Sequence, residues 1–196
     1  MNNEQKYLLD EKRKELQMKL NARDFVNRKI IYHWKDIFEN IKIQGVKYKI
    51  ESLCVVSSEM HPYILTAIDE MAYPEFSHDL IRVGNGTKMD AIFDKYPSMQ
   101  PLKYIPDLPV LAVSDQLNLV FNEASQLLKW SNEDVYFFSP DWWPVLQLNW
   151  KDVLEHGSDL FSNIPLPFIF TDMSGNKILY KSIEDEWRIT KSFEKT

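Results

Sequence analysis

Hydrophobic residues recur at helical spacing from the start of the chain. Leu9, Leu16 and Leu20 lie seven and four residues apart, which predicts a helix over residues 4–20. The apolar stripe of this helix is narrow, so it buries little area against a core. We therefore expect residues 1–21 to form a helical arm that is partly detached from the rest of the protein.

The same spacing predicts further helices. The strongest spans residues 24–41, where Asp24 suits an N-cap and the apolar positions recur every three or four residues: Val26, Ile30, Trp34, Ile37 and Ile41. Other helices are expected over residues 62–71, 114–130 and 150–156. Gly157 is expected to stop the last of these, because glycine is the residue that most often follows the end of a helix.

Alternating or continuous apolar runs predict strands over residues 46–57, 80–83, 110–113, 135–139, 145–150, 167–171, 178–183 and 187–190. The last three runs are close together and predict a β-meander. Early helices followed by late strands indicate an α+β fold, with N-terminal helices beside a mainly antiparallel sheet and a C-terminal β-meander. Four prolines predict that residues 97–109 form an extended connector within a single domain of residues 1–196.

Length and charge narrow the class of protein. A chain of 196 residues suits one domain, and 44% hydrophobic with 27% charged residues is typical of a globular protein. The net charge is −6, which argues against general nucleic-acid binding over the whole surface. The charge is uneven: residues 1–50 hold 12 basic and 7 acidic side chains, and residues 51–196 hold 11 and 22.

Cysteine usage and hydropathy indicate the compartment. Cys54 is the only cysteine, so no intrachain disulfide or C-x-x-C site exists, and its apolar neighbours predict a small buried side chain. No run approaches the roughly 20 apolar residues of a membrane helix, and no apolar segment follows the first six residues. We expect a cytoplasmic protein without membrane association, and no motif calls for a cofactor.

The acidic C-terminal half supplies the main functional hypothesis. Trp142 and Trp143 are adjacent, so on a strand they would point to opposite faces and one would be hard to bury. Tryptophan anchors many protein interfaces, and carboxylates attract a basic partner. The predicted contact residues are therefore Glu133, Asp134, Asp141, Trp142, Trp143, Glu155 and Asp159. The competing interpretation is that the tryptophans fill the core and the acids are solvated loop residues.

A small, acidic α+β chain with one cysteine is similar in type to bacterial immunity and inhibitor proteins. That similarity implies an acidic inhibitor or antitoxin that neutralises a basic toxin or nuclease. The sequence leaves open whether it acts as a monomer or a homodimer. It carries no residue roles with it, because a shared profile does not locate a site.

Two alternatives remain open from the residues. A mixed set of His61, His78 and Asp79 could hold a metal in a small hydrolase-type enzyme. Residues 22–50 interleave basic side chains with aromatic ones, a pattern that binds single-stranded nucleic acid. Nucleic acid is the less expected partner, because Trp34 lies on the predicted core stripe and acidic residues dilute the charge.

Overall fold

A computed structural model describes the chain at residues 3–32, 34–71, 75–84, 92, 94, 108–113, 116–139, 142–162, 164, 167–182 and 184–190. The α-helices within these ranges are α1 (Asn3–Phe25), α2 (Lys35–Gln44), α3 (His61–Met71), α4 (Leu117–Leu128) and α5 (Trp150–Phe161). The strands are β1 (Tyr48–Ser52), β2 (Cys54–Val56), β3 (Ile81–Val83), β4 (Val110–Val113), β5 (Asp134–Ser139), β6 (Trp142–Asn149), β7 (Phe168–Asp172), β8 (Ile178–Lys181) and β9 (Glu186–Ile189).

Seven of these strands form one sheet in the order β1-β6-β5-β7-β8-β9-β4. Every neighbouring pair in it is antiparallel. Strands β2 and β3 form a small parallel pair, and α3 makes the crossover between them. The α+β prediction, with N-terminal helices, a mainly antiparallel sheet and C-terminal strands, is confirmed.

The helices cover one face of the large sheet. Phe137 on β5 and Phe170 on β7 point to that face, where Trp34 meets Phe137 with ring centroids 5.3 Å apart. Phe121 on α4 lies at the centre of the same layer, with four aromatic rings within about 6 Å of its own: Trp150, Phe161, Phe170 and Trp187. Such edge-on contacts lock the ring positions as well as burying area.

The opposite face of the sheet is also apolar. On β5 to β8, side chains of this face alternate with those of the helix side. They form a second buried cluster together with two residues from the chain between β3 and β4: Tyr136, Phe138, Val145, Ile169, Ile178 and Tyr180 with Ile92 and Leu108. The buried guanidinium of Arg188 donates to the carbonyl of Leu108 at 2.7 Å. Strands buried on both faces explain the continuous apolar runs of the C-terminal half.

The predicted helix over residues 24–41 is divided in two. After α1, residues Val26–Ile31 form a π-helical turn, in which the N–H of Tyr32 bonds to the carbonyl of Asn27 at 2.8 Å. The helix α2 then begins at Lys35. A wider turn inserts an extra residue and redirects the chain, so apolar residues before and after it still reach the core.

Helix α1 docks only by its C-terminal part. Residues 4–17 are exposed along their whole length, whereas Ala22 is fully buried. Lys14 reaches Glu59 at 3.3 Å, and Arg23 reaches Glu70 at 2.7 Å.

Of the predicted connector 97–109, only residues 108 and 109 are described.

Two boundaries near the acidic region differ from prediction. Strand β6 begins at Trp142 and includes Pro144, where β5 and β6 are out of regular register and β1 has already ended. Proline is tolerated in a sheet at such places because no ladder hydrogen bond is lost. The second difference is that Gly157 does not stop α5, which continues to Phe161.

Gly157 is a packing residue rather than a helix stop. A Cβ atom built at this position would lie 2.5 Å from Cε2 of Phe121 and 2.8 Å from its Cδ2. Both residues are buried, so α4 and α5 approach closely only because position 157 has no side chain.

No described helix is both long and apolar enough to cross a bilayer.

The substitution Gly157→Ala tests this contact. Alanine in a helix interior normally adds about 1 kcal/mol of stability relative to glycine. Here we expect a net loss of about 1–2 kcal/mol, because overpacking a filled core costs more than the helix propensity returns. Urea denaturation of wild type and Gly157→Ala measures the sign of the stability change. In a Phe121→Leu background, Gly157→Ala should lose most of its destabilising effect. A stabilising Gly157→Ala would contradict the proposed close contact.

Candidate partner-binding surface

One side of α5 carries three carboxylates. Asp152, Glu155 and Asp159 are three and four residues apart, so they lie in one row along the helix. We call these three residues the acidic face of α5. The other side of the helix is held in the core by Trp150, Val153, Gly157, Leu160 and Phe161. The helix begins at Asn149, whose side-chain Oδ1 accepts from the N–H of Lys151 at 3.0 Å.

The charges of this face have little local compensation. The side chain of Glu155 is 62% exposed, and Nε2 of His156 lies 3.8 Å from its carboxylate. Within the described ranges, no lysine or arginine forms an ion pair with Asp152, Glu155 or Asp159. Glu155 and Asp159, which are both exposed, therefore present negative charge to solvent.

An exposed aliphatic residue lies on α2, the helix that contacts Asp159. Asn40 and Gln44 on α2 donate to the backbone carbonyl and to the carboxylate of Asp159, both at 3.3 Å. Between them in sequence is Ile43, which at 78% is the most exposed large hydrophobic side chain of the described residues. A lone exposed aliphatic residue is common on protein surfaces, but this one lies on the helix that contacts Asp159, so an apolar contact and negative charge are available on neighbouring elements.

Glu133 and Asp134 lie at the N-terminal end of α5. The N–H of Trp150 donates to the carbonyl of Glu133 at 2.9 Å, and the Asp134 carboxylate accepts from Gln147 at 2.7 Å. Asp134 and Asp152 line a shallow hollow of about 470 Å³, and three lysines also line it: Lys47, Lys49 and Lys151. The charge around Asp152 is therefore mixed, in contrast to Glu155 and Asp159 farther along α5.

The Glu133 carboxylate holds the turn before β5. Its Oε2 accepts from the backbone N–H groups of Ser131 at 2.6 Å and Asn132 at 2.9 Å. Partial burial works to raise the pKa of Glu133, but these hydrogen bonds outweigh it and the pKa lies below the ordinary value of 4.5. Because these hydrogen bonds occupy its carboxylate, Glu133 is less available than its neighbours for the predicted partner contact.

The two predicted tryptophans lie at the other end of β6. The backbone of Trp142 pairs with Ser139, whereas Asn149 pairs with Asp134 at the far end of the same hairpin. Seven residues of extended strand separate these ends by about 23 Å. Asp141 and the side chains of Trp142 and Trp143 lie outside the described residues. Their contact roles stay a prediction.

Four other tryptophans fill the core. Trp34, Trp130, Trp150 and Trp187 are all at most 2% exposed, and Trp130 meets Trp150 with ring centroids 4.7 Å apart. The competing interpretation of buried tryptophans therefore holds for Trp150, which directly precedes the acidic row. The acids of that row lie on one helix rather than on loops, and Glu155 and Asp159 are solvent-exposed.

The positive charge of residues 22–50 is largely offset within the fold. Arg23 pairs with Glu70 at 2.7 Å, and Lys42 pairs with Glu75 at 2.8 Å. The hydrogen bond from Arg23 lowers the pKa of Glu70, as expected for a carboxylate held by a cation. Arg28 and Lys35 pair with acids of the same segment, and Lys49 pairs with Glu51 just beyond it. With Trp34 buried as well, this segment gives little support to nucleic-acid binding.

The residues of the predicted metal site do not converge. His78 contacts Asp69 at 2.7 Å, while Asp79 accepts from Ser77. In the part of the chain that the structure describes, no three histidine, cysteine or carboxylate groups are placed to hold a metal ion.

Cys54 is fully buried, and burial raises its pKa to about 12, so its prediction as a small buried side chain is confirmed.

The sequence analysis did not identify the exposure of Ile43 or the alignment of the three acids on one side of α5. The helix was expected to end at residue 156, which would have left Asp159 off the helix. The spacing of Asp152, Glu155 and Asp159 was a usable signal, but Gly157 between them argued for a helix end. Helical spacing also placed Ile43 off the apolar stripe of Ile37 and Ile41, which was a usable signal of its exposure.

Comparison of the chain with protein-family models, with curated proteins and with solved structures found no match. The function is therefore inferred from the surface that the described residues form.

The substitution Glu133→Gln tests the structural role of this carboxylate. Since its pKa is lowered by folding, it stabilises the native state above pH 4.5, and this contribution is lost as the pH falls through the folded-state value. We expect the variant to be less stable by about 1–2 kcal/mol at pH 7, with a smaller difference at pH 3.

Urea denaturation at the two pH values measures this difference. Glu123→Gln, on the exposed side of α4, is the control for removing one charge. A difference between wild type and Glu133→Gln that stays constant from pH 7 to pH 3 would show that the charge of Glu133 is not what holds the turn.

Proposed function

We propose that this protein binds a basic protein partner through the acidic face of α5 and Ile43, and that it acts as an inhibitor of the immunity type. The observation that carries the proposal is the row of three carboxylates without a lysine or arginine partner among the described residues. The net charge of −6 supports the same polarity of partner. A basic toxin or nuclease is the kind of protein that such a surface would neutralise.

Long-range attraction is the first contribution of the acidic face. Complementary charge raises association rates toward 10⁸–10⁹ M⁻¹s⁻¹ at low salt, and the effect falls as ions screen the field. Fast capture suits an inhibitor, because it limits the time for which a harmful partner remains free.

Rigidity is the second contribution. The buried side of α5 is fixed by its aromatic neighbours, and Asp159 is positioned by two donors from α2. A surface that is already ordered loses little conformational entropy when a partner binds. Ile43 then offers an apolar contact that strengthens once charged groups around it exclude water.

A charge-reversal variant tests this surface. Tagged full-length protein captures partners from its native cells, and the captured protein is purified for kinetic measurement. We expect Glu155→Lys with Asp159→Lys to weaken binding at least about tenfold, mainly through the association rate. Ile43→Ala should act mainly on the dissociation rate, because it removes a short-range contact.

The matched control reverses two acids elsewhere, Glu123→Lys with Glu184→Lys, both exposed and outside the acidic face. It changes the net charge equally, so a loss seen only in the first variant locates the contact on α5. An equal loss of binding in both variants would show that net charge alone causes the effect. Unchanged binding by Glu155→Lys with Asp159→Lys would refute the proposed surface.

The predicted tryptophan contacts need a separate variant. Replacing both Trp142 and Trp143 by Ala should abolish capture if the partner spans the hairpin from the acidic face to the far end of β6. Circular dichroism and urea denaturation verify that the variant is folded. Undiminished capture by the folded variant would confine the contact to the end of the protein that carries α5.

A further inference from the structure

Helix α1 presents a leucine seam on the side that faces away from the body. At 100° per residue, Leu9, Leu16 and Leu20 fall within about 40° of one another, roughly 160° from Met18 and Ala22. Ala22 is buried, and Met18 lines the hollow between α1 and Tyr63, so those two residues mark the inner side. The three leucines are 38%, 59% and 49% exposed.

The spacing of the seam is that of a coiled coil. Leu9, Arg13, Leu16 and Leu20 follow one another at four, three and four residues, which are alternating d and a positions of a heptad. A strip this narrow is typical of pairing with one other helix, whereas burial in a core requires a wider apolar face. Arg23 at the next d position is held by Glu70, so the seam ends at Leu20.

The charges beside the seam are positive on one flank. Lys12 and Lys19 both occupy g positions, and Arg13 lies in the seam itself. Lys19 and Arg13 have exposed ion-pair partners on α1, Glu15 and Asp10, and exposed pairs of this kind contribute little free energy. Lys12 also borders the hollow on the body side of α1, and Asp10 and Gln17 occupy the e positions of the other flank. A helix that packs on the seam therefore meets cations on the g side only.

These charges disfavour pairing with a second copy. In a parallel pair, Arg13 of each chain would face Arg13 of the other across the seam. In an antiparallel pair, the flanks of Lys12 and Lys19 would meet each other. Both arrangements place like charges side by side, so the seam is better matched by a helix of opposite charge.

We propose that the outer side of α1 binds an acidic amphipathic helix of a partner protein, one with a leucine seam and glutamates beside it. The leucines supply the apolar contact, and the partner's glutamates pair with Lys12 and Lys19 and with Arg13. This surface is separate from the acidic face of α5 and takes a partner of the opposite charge. It does not depend on the proposed inhibitor function.

The test uses the full-length protein and two fluorescent peptides of four heptads. Both have leucine or isoleucine at a and d; one has glutamate and the other lysine at e and g. We expect anisotropy at low salt to show binding of the glutamate peptide at least about tenfold tighter than the lysine peptide. Lys12→Glu with Lys19→Glu should invert this preference.

A leucine variant checks the seam. Leu16→Gln keeps a good helix former, so it should weaken binding of the glutamate peptide about tenfold without loss of helix by circular dichroism. Leu119→Gln is the control, since Leu119 on α4 is 61% exposed and lies outside the seam. It should leave binding unchanged.

Three results would overturn the proposal. Equal affinity for the two peptides would remove the charge argument. A dimer in sedimentation that Leu16→Gln disrupts would make a second copy the occupant. Binding to phosphatidylserine vesicles that depends on Leu16 and exceeds binding of the glutamate peptide would make a lipid surface the occupant.

Discussion

The close approach of α4 and α5 sets the geometry on which the proposed surface depends. Phe121 fills the space that a side chain at position 157 would occupy, and it is itself enclosed by aromatic rings from α5 and the sheet. This contact fixes how α5 is rotated about its axis. Because the buried side of the helix is determined by that rotation, the row of Asp152, Glu155 and Asp159 is directed outward.

Charge is distributed by the fold in a way that the linear chain conceals. The N-terminal segment has an excess of cations, and the rest has an excess of acids. Glu70 and Glu75 from the acidic part offset Arg23 and Lys42 of the basic part. Acids used in this way are not free to attract a partner, whereas the acidic face of α5 keeps its charge. The polarity of the proposed binding surface thus follows from which carboxylates the fold leaves without a cationic partner.

Much of the fold was predictable because periodicity is a local property. Spacing of three and four residues located α1, α3 and α4, and apolar runs located the meander of β7, β8 and β9. The burial of Trp34 and Cys54 was also predicted from their neighbours. The candidate site was only partly predictable: Glu155 and Asp159 were identified as acidic candidates, but their alignment with Asp152 and the nearby exposure of Ile43 were not.

By itself, the sequence determined the class of fold, the acidic polarity and the residues available for contact, since these depend on composition and short-range spacing. Tertiary structure alone decided that Gly157 lies inside a helix, because its role comes from Phe121, 36 positions away in the chain. It also decided which cations are neutralised and which tryptophans are enclosed. Such outcomes depend on contacts between residues distant in sequence, which no local pattern encodes.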